Sequence, residues 1–221
     1  MLTAINNNQL NVLITRPEKK AQRLAALLAR HNITCIEQPL FDYQPLADHS
    51  ISERLLTNAN IIIFVSLAAV EFANAMLAAK NWRYQHIVAV GQTTKIALQQ
   101  LGVTNVLCPT QENSEGLLSL PVLSENIATT SITIVRGNGG RELLANQLKQ
   151  HGANVSYLES YQRLWRTFSK NISKQWFEQQ INCIVVTSNV ILEKLVQLTI
   201  KQSTPALTNY WCNQCLWLVA S

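Results

Sequence analysis

The residues best suited to chemistry in this chain of 221 are small, polar or cationic, and they stand where apolar runs end. Arg16 follows NVLIT, Ser66 follows NIIIFV, and Gln92 and Thr93 follow IVAVG. Arg136, Gly137 and Asn138 follow SITIV, and Ser188 and Asn189 follow CIVVT. The stretch from Ser131 to Arg141 is the densest of these places, with Gly137, Gly139 and Gly140 three of only seven glycines. Glycine permits conformations and close approaches that a side chain blocks. A helix start after a strand offers free N–H groups and a positive dipole end to an anion. Arg136 and Arg141 add charge there. An anion-holding turn is one reading; an ordinary strand-to-helix turn with solvated arginines is the other, and this stretch alone leaves both open. Each of the other residues, taken singly, also suits a turn or cap. Together, in two copies, they describe a cleft for a polyanion between paired domains. Tyr161, in ESYQR, is either a domain-joining aromatic or a cleft-facing phenol, and periodicity leaves both open.

The elements that must carry these residues alternate in type. Strands are expected at 11–15, 33–36, 60–65, 87–90, 105–108, 131–135 and 155–158, each apolar and rich in β-branched residues. Between them, Ala21, Leu24, Ala25 and Leu28 recur at i, i+3, i+4, i+7, which predicts a one-faced helix from Pro17 to about Arg30. Further helices are predicted at 51–58, at 67–79, over Thr94–Leu101 with Gly102 as its stop, and from about Glu142. Ser114 is the expected cap of a short helix carrying Leu117, Leu118 and Leu120. Pro39 and Pro45 keep the extended segment 38–45 out of a sheet interior.

An internal repeat orders the whole. An offset of 120 pairs Arg16 with Arg136, Leu24 with Leu144, Leu28 with Leu148 and His31 with His151. An offset of 122 pairs Phe64-Val65-Ser66 with Val186-Thr187-Ser188, and one of 130 pairs Val90-Gly91 with Ala220-Ser221. Two copies of alternating strand and helix predict an α/β protein with two similar Rossmann- or flavodoxin-like parallel sheets, which bind ligands beyond the carboxyl ends of their strands. The repeat alone divides the chain in series near residue 125, and it leads one to expect about 30 further residues after Ser221.

Composition narrows the function. With 48% hydrophobic and 14% charged residues, no apolar run long enough for a membrane span and no leader-like start, a cytoplasmic globular protein is expected. A net charge of +5 favours an acidic partner, but the basic residues are dispersed, which argues against nucleic acid. No metal set, Ser/His/Asp arrangement, P-loop or dinucleotide fingerprint is present. His31 and His151 are expected as helix C-terminal caps. The five cysteines suit reduced core thiols; Cys212 and Cys215 have the spacing of half a zinc site without its other half.

The ordered set of short motifs resembles the uroporphyrinogen-III synthase family. The segments are Leu13-Ile-Thr-Arg-Pro17, Asn60-Ile-Ile-Ile-Phe-Val-Ser66 with Ala69-Val70, Ala89-Val-Gly-Gln-Thr-Thr94 and Ser114-Glu-Gly-Leu-Leu118. The second half adds Ile134-Val-Arg-Gly137, Gly140-Arg141, Ser160-Tyr-Gln-Arg163 and Val185-Val-Thr-Ser188. The resemblance implies two α/β domains joined by a two-stranded extended linker. Residues 1–38 and 164–221 would form one domain, its C-terminal part incomplete, and 43–157 the other, with linkers 39–42 and 158–163.

The resemblance also implies a reaction. A linear tetrapyrrole, hydroxymethylbilane, loses hydroxide and closes to uroporphyrinogen III through a spiro intermediate that inverts the terminal pyrrole ring, a lyase step of haem biosynthesis. It needs no metal or cofactor, and chiefly positions a floppy polyanion, with a general acid assisting departure of the hydroxyl. The family's active-site tyrosine matches Tyr161. The holders of acetate and propionate groups would be Arg16, Ser66, Gln92, Thr93, Arg136, Gly137, Asn138, Ser188 and Asn189. A monomer is expected, with the hydroxymethylbilane-forming enzyme as candidate partner and neither nucleic acid nor membrane. A non-catalytic, two-lobed module for a small ligand is the alternative; RNA binding ranks last.

Overall fold

β1 (Asn11–Ile14) forms the middle of a four-stranded sheet because both its faces are apolar and covered. Val12, Leu13 and Ile14 are all buried, as are Cys183, Ile184 and Val186 of the neighbouring strand. Such continuous apolar runs suit a parallel sheet hidden on both sides. The structure, a computed structural model, describes residues 10–46, 48–140, 142–201 and 203–219, apart from the side chains of Lys19, Lys20 and Val219. Arg141, Ala220 and Ser221 therefore lie outside the described residues, as does the start of the chain.

Two units divide the chain: a terminal unit, Met1–Asp42 with Leu164–Ser221, and a central unit, Tyr43–Arg163. In the terminal unit β1 leads to α1 (Glu18–Arg30) and β2 (Thr34–Glu37). Pro17 stands at the N-cap of α1, one place before its expected position, and Glu18 begins the helix. Val12, Ile14, Ala21 and Cys183 pack with Leu24, Ala25 and Leu28, so the 3.6-residue stripe meets the period-2 face of the strand. The C-terminal portion adds α8 (Ile172–Glu178), β8 (Cys183–Val186), α9 (Asn189–Val196), a π turn at Gln197–Lys201, α10 (Pro205–Asn213) and β9 (Leu216–Val219). The strand order is β2-β1-β8-β9, and every pair is parallel.

β3 (Phe41–Pro45) begins at the end of the terminal unit's first segment and runs into the central unit, which continues with α2 (His49–Thr57), capped by the Asp48 carboxylate accepting from the Ile51 N–H at 2.8 Å. Then come β4 (Ile61–Phe64), α3 (Leu67–Met76), β5 (His86–Ala89) and α4 (Gln92–Gln100). Short helices α5 (Ser114–Leu118) and α6 (Pro121–Ser124) lead to β6 (Ser131–Gly137), α7 (Leu143–Gln150) and β7 (Asn154–Trp165). The order is β3-β7-β6-β4-β5. Ile62 and Phe64 of β4 pack with α2, α3 and α4 residues, and Ile61 and Ile63 pack on the other face with Leu117, Leu144 and Leu148. Each such side chain, fully buried, contributes about 1.5–3 kcal/mol.

Mapped by the repeat, β1 corresponds to β6, β2 to β7, β8 to β4 and β9 to β5. The two sheets then share one order, β2-β1-β8-β9 and β7-β6-β4-β5, with β3 added beside β7. Each sheet thus takes its first two equivalents from one copy and its last two from the other. The fold is mixed α/β with predominantly parallel strands.

Three local expectations are corrected. Residues 105–108 form no strand; Leu107 makes a single parallel bridge to Val88, and positive φ at Asn105 (54°) precludes a regular run. Asn113 caps α5, its side chain accepting from the Gly116 N–H at 2.8 Å, and Ser114 is the first helical residue. β7 extends well beyond 158, to Trp165, because it pairs with β6 as far as Tyr161 and has β3 on its other edge. Pro45 is accommodated in β3 because that strand is a sheet edge.

Candidate active site

In the central unit the strand ends converge on Tyr161. The ring is 3% exposed, stacked on Phe72 at 5.4 Å between centroids and edge-on to Tyr43 at 4.9 Å. Its hydroxyl lies 3.3 Å from Ser66 Oγ. Ser66 ends β4 and caps α3, its Oγ accepting from the Ala69 N–H at 3.1 Å, so the hydroxyl is fixed by the helix start. On the other side lies Gly137. A Cβ there would sit 2.6 Å from Cε2 and 2.7 Å from Cζ of Tyr161. Of the two reasons the sequence offers for a glycine, conformational freedom and close approach, the structure gives close approach at Gly137.

The turn beyond β6 is tied to β7. Asn138 N–H donates to the Tyr161 carbonyl at 2.8 Å, while the Asn138 side chain is exposed. Gly139 and Gly140 have φ of 68° and 126°, which other residues adopt only with strain. At β5, Gly91 is the N-cap of α4, and Gln92 and Thr93 are exposed in its first turn. The Gln92 N–H donates to Glu112 Oε1 at 2.9 Å, so a carboxylate of the chain itself occupies that helix start. Nothing in the sequence marks Glu112 for this role, since it stands 20 residues from its partner.

Arg136 differs from its expected role. It is 9% exposed, and its Nη1 donates to Glu142 Oε1 at 2.9 Å and its Nη2 to Glu159 Oε1 at 3.1 Å. Its guanidinium carbon lies 3.6 Å from the centroid of Tyr157. Tyr157 donates its hydroxyl proton to Glu142 Oε2, and burial together with that carboxylate pushes the phenol up to about 12. Two carboxylates and an aromatic face thus already engage this cation, which leaves it poorly placed to hold a substrate anion.

The Tyr157 hydroxyl and then the Arg136 guanidinium hold the Glu142 carboxyl below the usual range. The stabilisation therefore exists above the unfolded value of about 4.3 and is lost as pH falls through the lower folded value. Melting wild type and Glu142→Gln between neutral and strongly acidic pH should show a difference that shrinks on acidification; a constant difference contradicts the pairing.

In the terminal unit, Arg16 and the Ser188–Asn189 pair lie beyond the carboxyl ends of the adjacent parallel strands β1 and β8. Thr15 Oγ1 donates to the Val185 carbonyl at 3.1 Å and locks the two ends together. Ser188 caps α9, accepting from the Ile191 N–H at 3.4 Å; both it and Asn189 are exposed. Arg16 is half-buried, and its Nε is enclosed without an acceptor. Its repeat mate Arg136 has two carboxylates; Arg16 has no recorded partner among the described residues. An enclosed Nε is not peculiar to Arg16, since Arg136 Nε and the Trp176 and Trp211 N–H groups are also without partners; what distinguishes Arg16 is a whole guanidinium without a carboxylate.

Among the described residues no group of three or more His, Cys, Asp or Glu could hold a metal ion. Cys212 is exposed, whereas Cys215 is buried and burial pushes its thiol up to about 12. His31 and His151 occupy the C-caps of α1 and α7. Among the described residues no helix is long and apolar enough to cross a membrane.

Known proteins share both sequence and fold with this chain. The family model described as Uroporphyrinogen-III synthase HemD matches residues 22–212. The uroporphyrinogen-III synthase of Salmonella typhimurium is 34% identical over 223 residues, covering 96% of this chain and 87% of that one. That of Escherichia coli is 30% identical with the same coverage. Among solved structures, a mutant uroporphyrinogen III synthase from Thermus thermophilus superposes with a TM-score of 0.69 at 15% identity, covering 96% and 85% of the two chains. The enzyme of Helicobacter pylori gives 0.53 at 13%, covering 96% and 92%. These structural likenesses speak for the fold; the sequence matches speak for descent, and by them the chain belongs to the uroporphyrinogen-III synthase family.

Proposed function

We propose that this enzyme closes hydroxymethylbilane to uroporphyrinogen III by holding its acetate and propionate groups at strand ends and presenting the terminal ring for attack. The observation that carries this reading is Arg16, whose guanidinium has no acceptor among the described residues, whereas the two Nη groups of its repeat mate Arg136 are each given to a carboxylate; the Nε of both is enclosed without a partner. A substrate carboxylate supplies what is missing, and a charge-assisted bond to guanidinium is among the stronger hydrogen bonds available. In the terminal unit Ser188 and Asn189, exposed beyond the adjacent strand end, are further holders; in the central unit, considered by itself, they are Ser66, Gln92, Thr93, Gly137 and Asn138. Ser66, Thr93 and Ser188 act through hydroxyls, and Gln92, Asn138 and Asn189 through side-chain amides, since the Gln92 and Asn138 N–H groups are already given to Glu112 and to the Tyr161 carbonyl; Gly137 leaves room at the Tyr161 ring.

Tyr161 is the proton donor in this reading. The substrate hydroxyl takes the phenolic proton and leaves as water, the azafulvenium that remains is attacked by the substituted carbon of the terminal ring, and the spiro intermediate opens and recloses to the inverted product, the proton lost as the terminal pyrrole regains aromaticity returning to the phenolate. Because Tyr161 is almost wholly buried, the half-buried Ser66, 3.3 Å away, is the member of the pair through which a leaving hydroxyl reaches that proton. The remainder of the catalysis is positioning. A binding module without turnover is disfavoured by the family membership.

The two units are read as the family's two domains, with 39–42 and 158–163 as the linking segments. Support comes from the discontinuous division of the chain and from paired backbone hydrogen bonds, Arg166 N–H to Leu40 O and Leu46 N–H to Ser160 O, which run in opposite senses. Arg16→Gln tests the central point. It should raise KM about 10–100-fold, the worth of a hydrogen bond to a charged group, with a smaller change in kcat. An unchanged KM removes Arg16 from the site.

A further inference from the structure

The cation at the end of β6 is held rather than holding, and what it holds in turn is the glycine turn. Glu159 Oε1 accepts from Arg136 Nη2 at 3.1 Å and, with the same oxygen, from the Gly139 N–H at 3.1 Å. Gly139 and Gly140 carry no side chains to pack, and both have positive φ, so the turn has few other means of keeping one conformation. The register between β6 and β7 slips at this point: Arg136 lies opposite Glu159, and Gly137 opposite Tyr161. A bulge of this kind re-aims side chains at a sheet end. It places Ser160 between two residues that both act on the turn, Glu159 through its carboxylate and Tyr161 through its ring and carbonyl. Ser160 itself is buried and donates to the Arg136 carbonyl at 3.3 Å.

We infer that Glu159 is a positioning residue: its carboxylate, anchored on Arg136, holds the turn from Gly137 to Gly140 at one register against Tyr161. The inference rests on the proposal that this turn holds a carboxylate of the linear tetrapyrrole. The terminal ring of the substrate can attack the azafulvenium through either of two carbons, and only its placement decides which. A turn free to shift presents the wrong one more often. Glu159 therefore acts on product identity without touching the substrate. Arg136 is held also by Glu142 and Tyr157, and among the described residues Glu159 is the side chain that reaches the turn's backbone at Gly139, beside the main-chain bond from Asn138 N–H to the Tyr161 carbonyl.

The test uses the whole chain and compares Glu159→Ala with Glu159→Gln, which keeps an oxygen for the Gly139 N–H but loses the charge facing Arg136. Two readouts are needed. Amide exchange over residues 137–140, measured without substrate, reports the clamp; KM, kcat and the ratio of isomer I to isomer III report its consequence. Glu159→Ala should speed exchange about tenfold, raise KM about tenfold and raise the share of isomer I, since misplacement of the order of 1 Å costs about a hundredfold in rate. Glu159→Gln should restore most of the isomer ratio. Unchanged exchange in folded Glu159→Ala overturns the inference at the clamp. Faster exchange with wild-type KM and isomer ratio also overturns it, and locates the fault in the underlying reading that the turn holds substrate.

Discussion

Gly137→Ala should destabilise the protein by about 1–3 kcal/mol, the usual range for overpacking a filled site, and lower kcat/KM by about a hundredfold. The cause is local. The new methyl carbon would stand 2.6 Å from Cε2 and 3.0 Å from the hydroxyl oxygen of Tyr161. The ring has little room to retreat, with Phe72 stacked at 5.4 Å and Tyr43 edge-on at 4.9 Å. Relief must come from moving the phenol away from Ser66 or from bending the end of β6, and either change breaks the arrangement on which the chemistry depends. Since Gly137 is not among the positive-φ positions, alanine meets no backbone penalty there and the effect isolates the contact. A double-mutant cycle provides the check. In a Tyr161→Ala background the added methyl group should cost little stability, measured by urea unfolding, whereas an undiminished cost would place the clash elsewhere.

Tyr161→Phe should lower kcat about tenfold while leaving isomer III the main product. General acids contribute about 10²–10⁴-fold where proton transfer is difficult, but this substrate also loses its hydroxyl unaided, so the smaller figure applies. Stability should change by only about 0.5–1.5 kcal/mol, since the single hydrogen bond removed is the one to Ser66. The contrast with Gly137→Ala is informative. One variant deletes the proton and keeps the geometry; the other keeps the proton and spoils the geometry. If Tyr161→Phe turns over at the wild-type rate, the phenol has no part in hydroxyl departure.

Sequence periodicity carried much of the fold because the signals are local. The apolar runs 11–15 and 60–65 are interior strands, 87–90 is a buried strand at the end of its sheet, and Ala21, Leu24, Ala25 and Leu28 lie on one face because one strand surface covers them. The repeat is real at the level of strand order, yet it suggests a serial cut near residue 125, whereas the compact units divide at 42/43 and 163/164. Pairing between distant copies leaves no trace in local pattern. The same limit explains β7. Residues 159–165 have no strict alternation, and only their neighbours β6 and β3 make them a strand.

For the candidate site, sequence offers residue types at strand ends and not their partners. Arg16 and Arg136 are equivalent in the repeat; Glu142 stands near Arg136 where Gln22 stands near Arg16, but sequence alone does not show that Glu142 and Arg136 meet. Their difference comes from Glu142 and Glu159, the second lying 23 residues away and brought opposite by the β6–β7 register. Sequence likewise offers no sign that Glu112 reaches the start of α4, or that Gly137 is there to admit a ring. Small residues at strand ends announce that something is held. Which of them are already engaged depends on long-range pairing.

The central claim is that this chain directs the closure of hydroxymethylbilane instead of merely binding it. The direct measurement is chromatographic separation of uroporphyrinogen isomers after incubating the purified protein with hydroxymethylbilane, beside an enzyme-free control. The account predicts mainly isomer III with the protein and isomer I without it. Isomer I alone in both samples would contradict it.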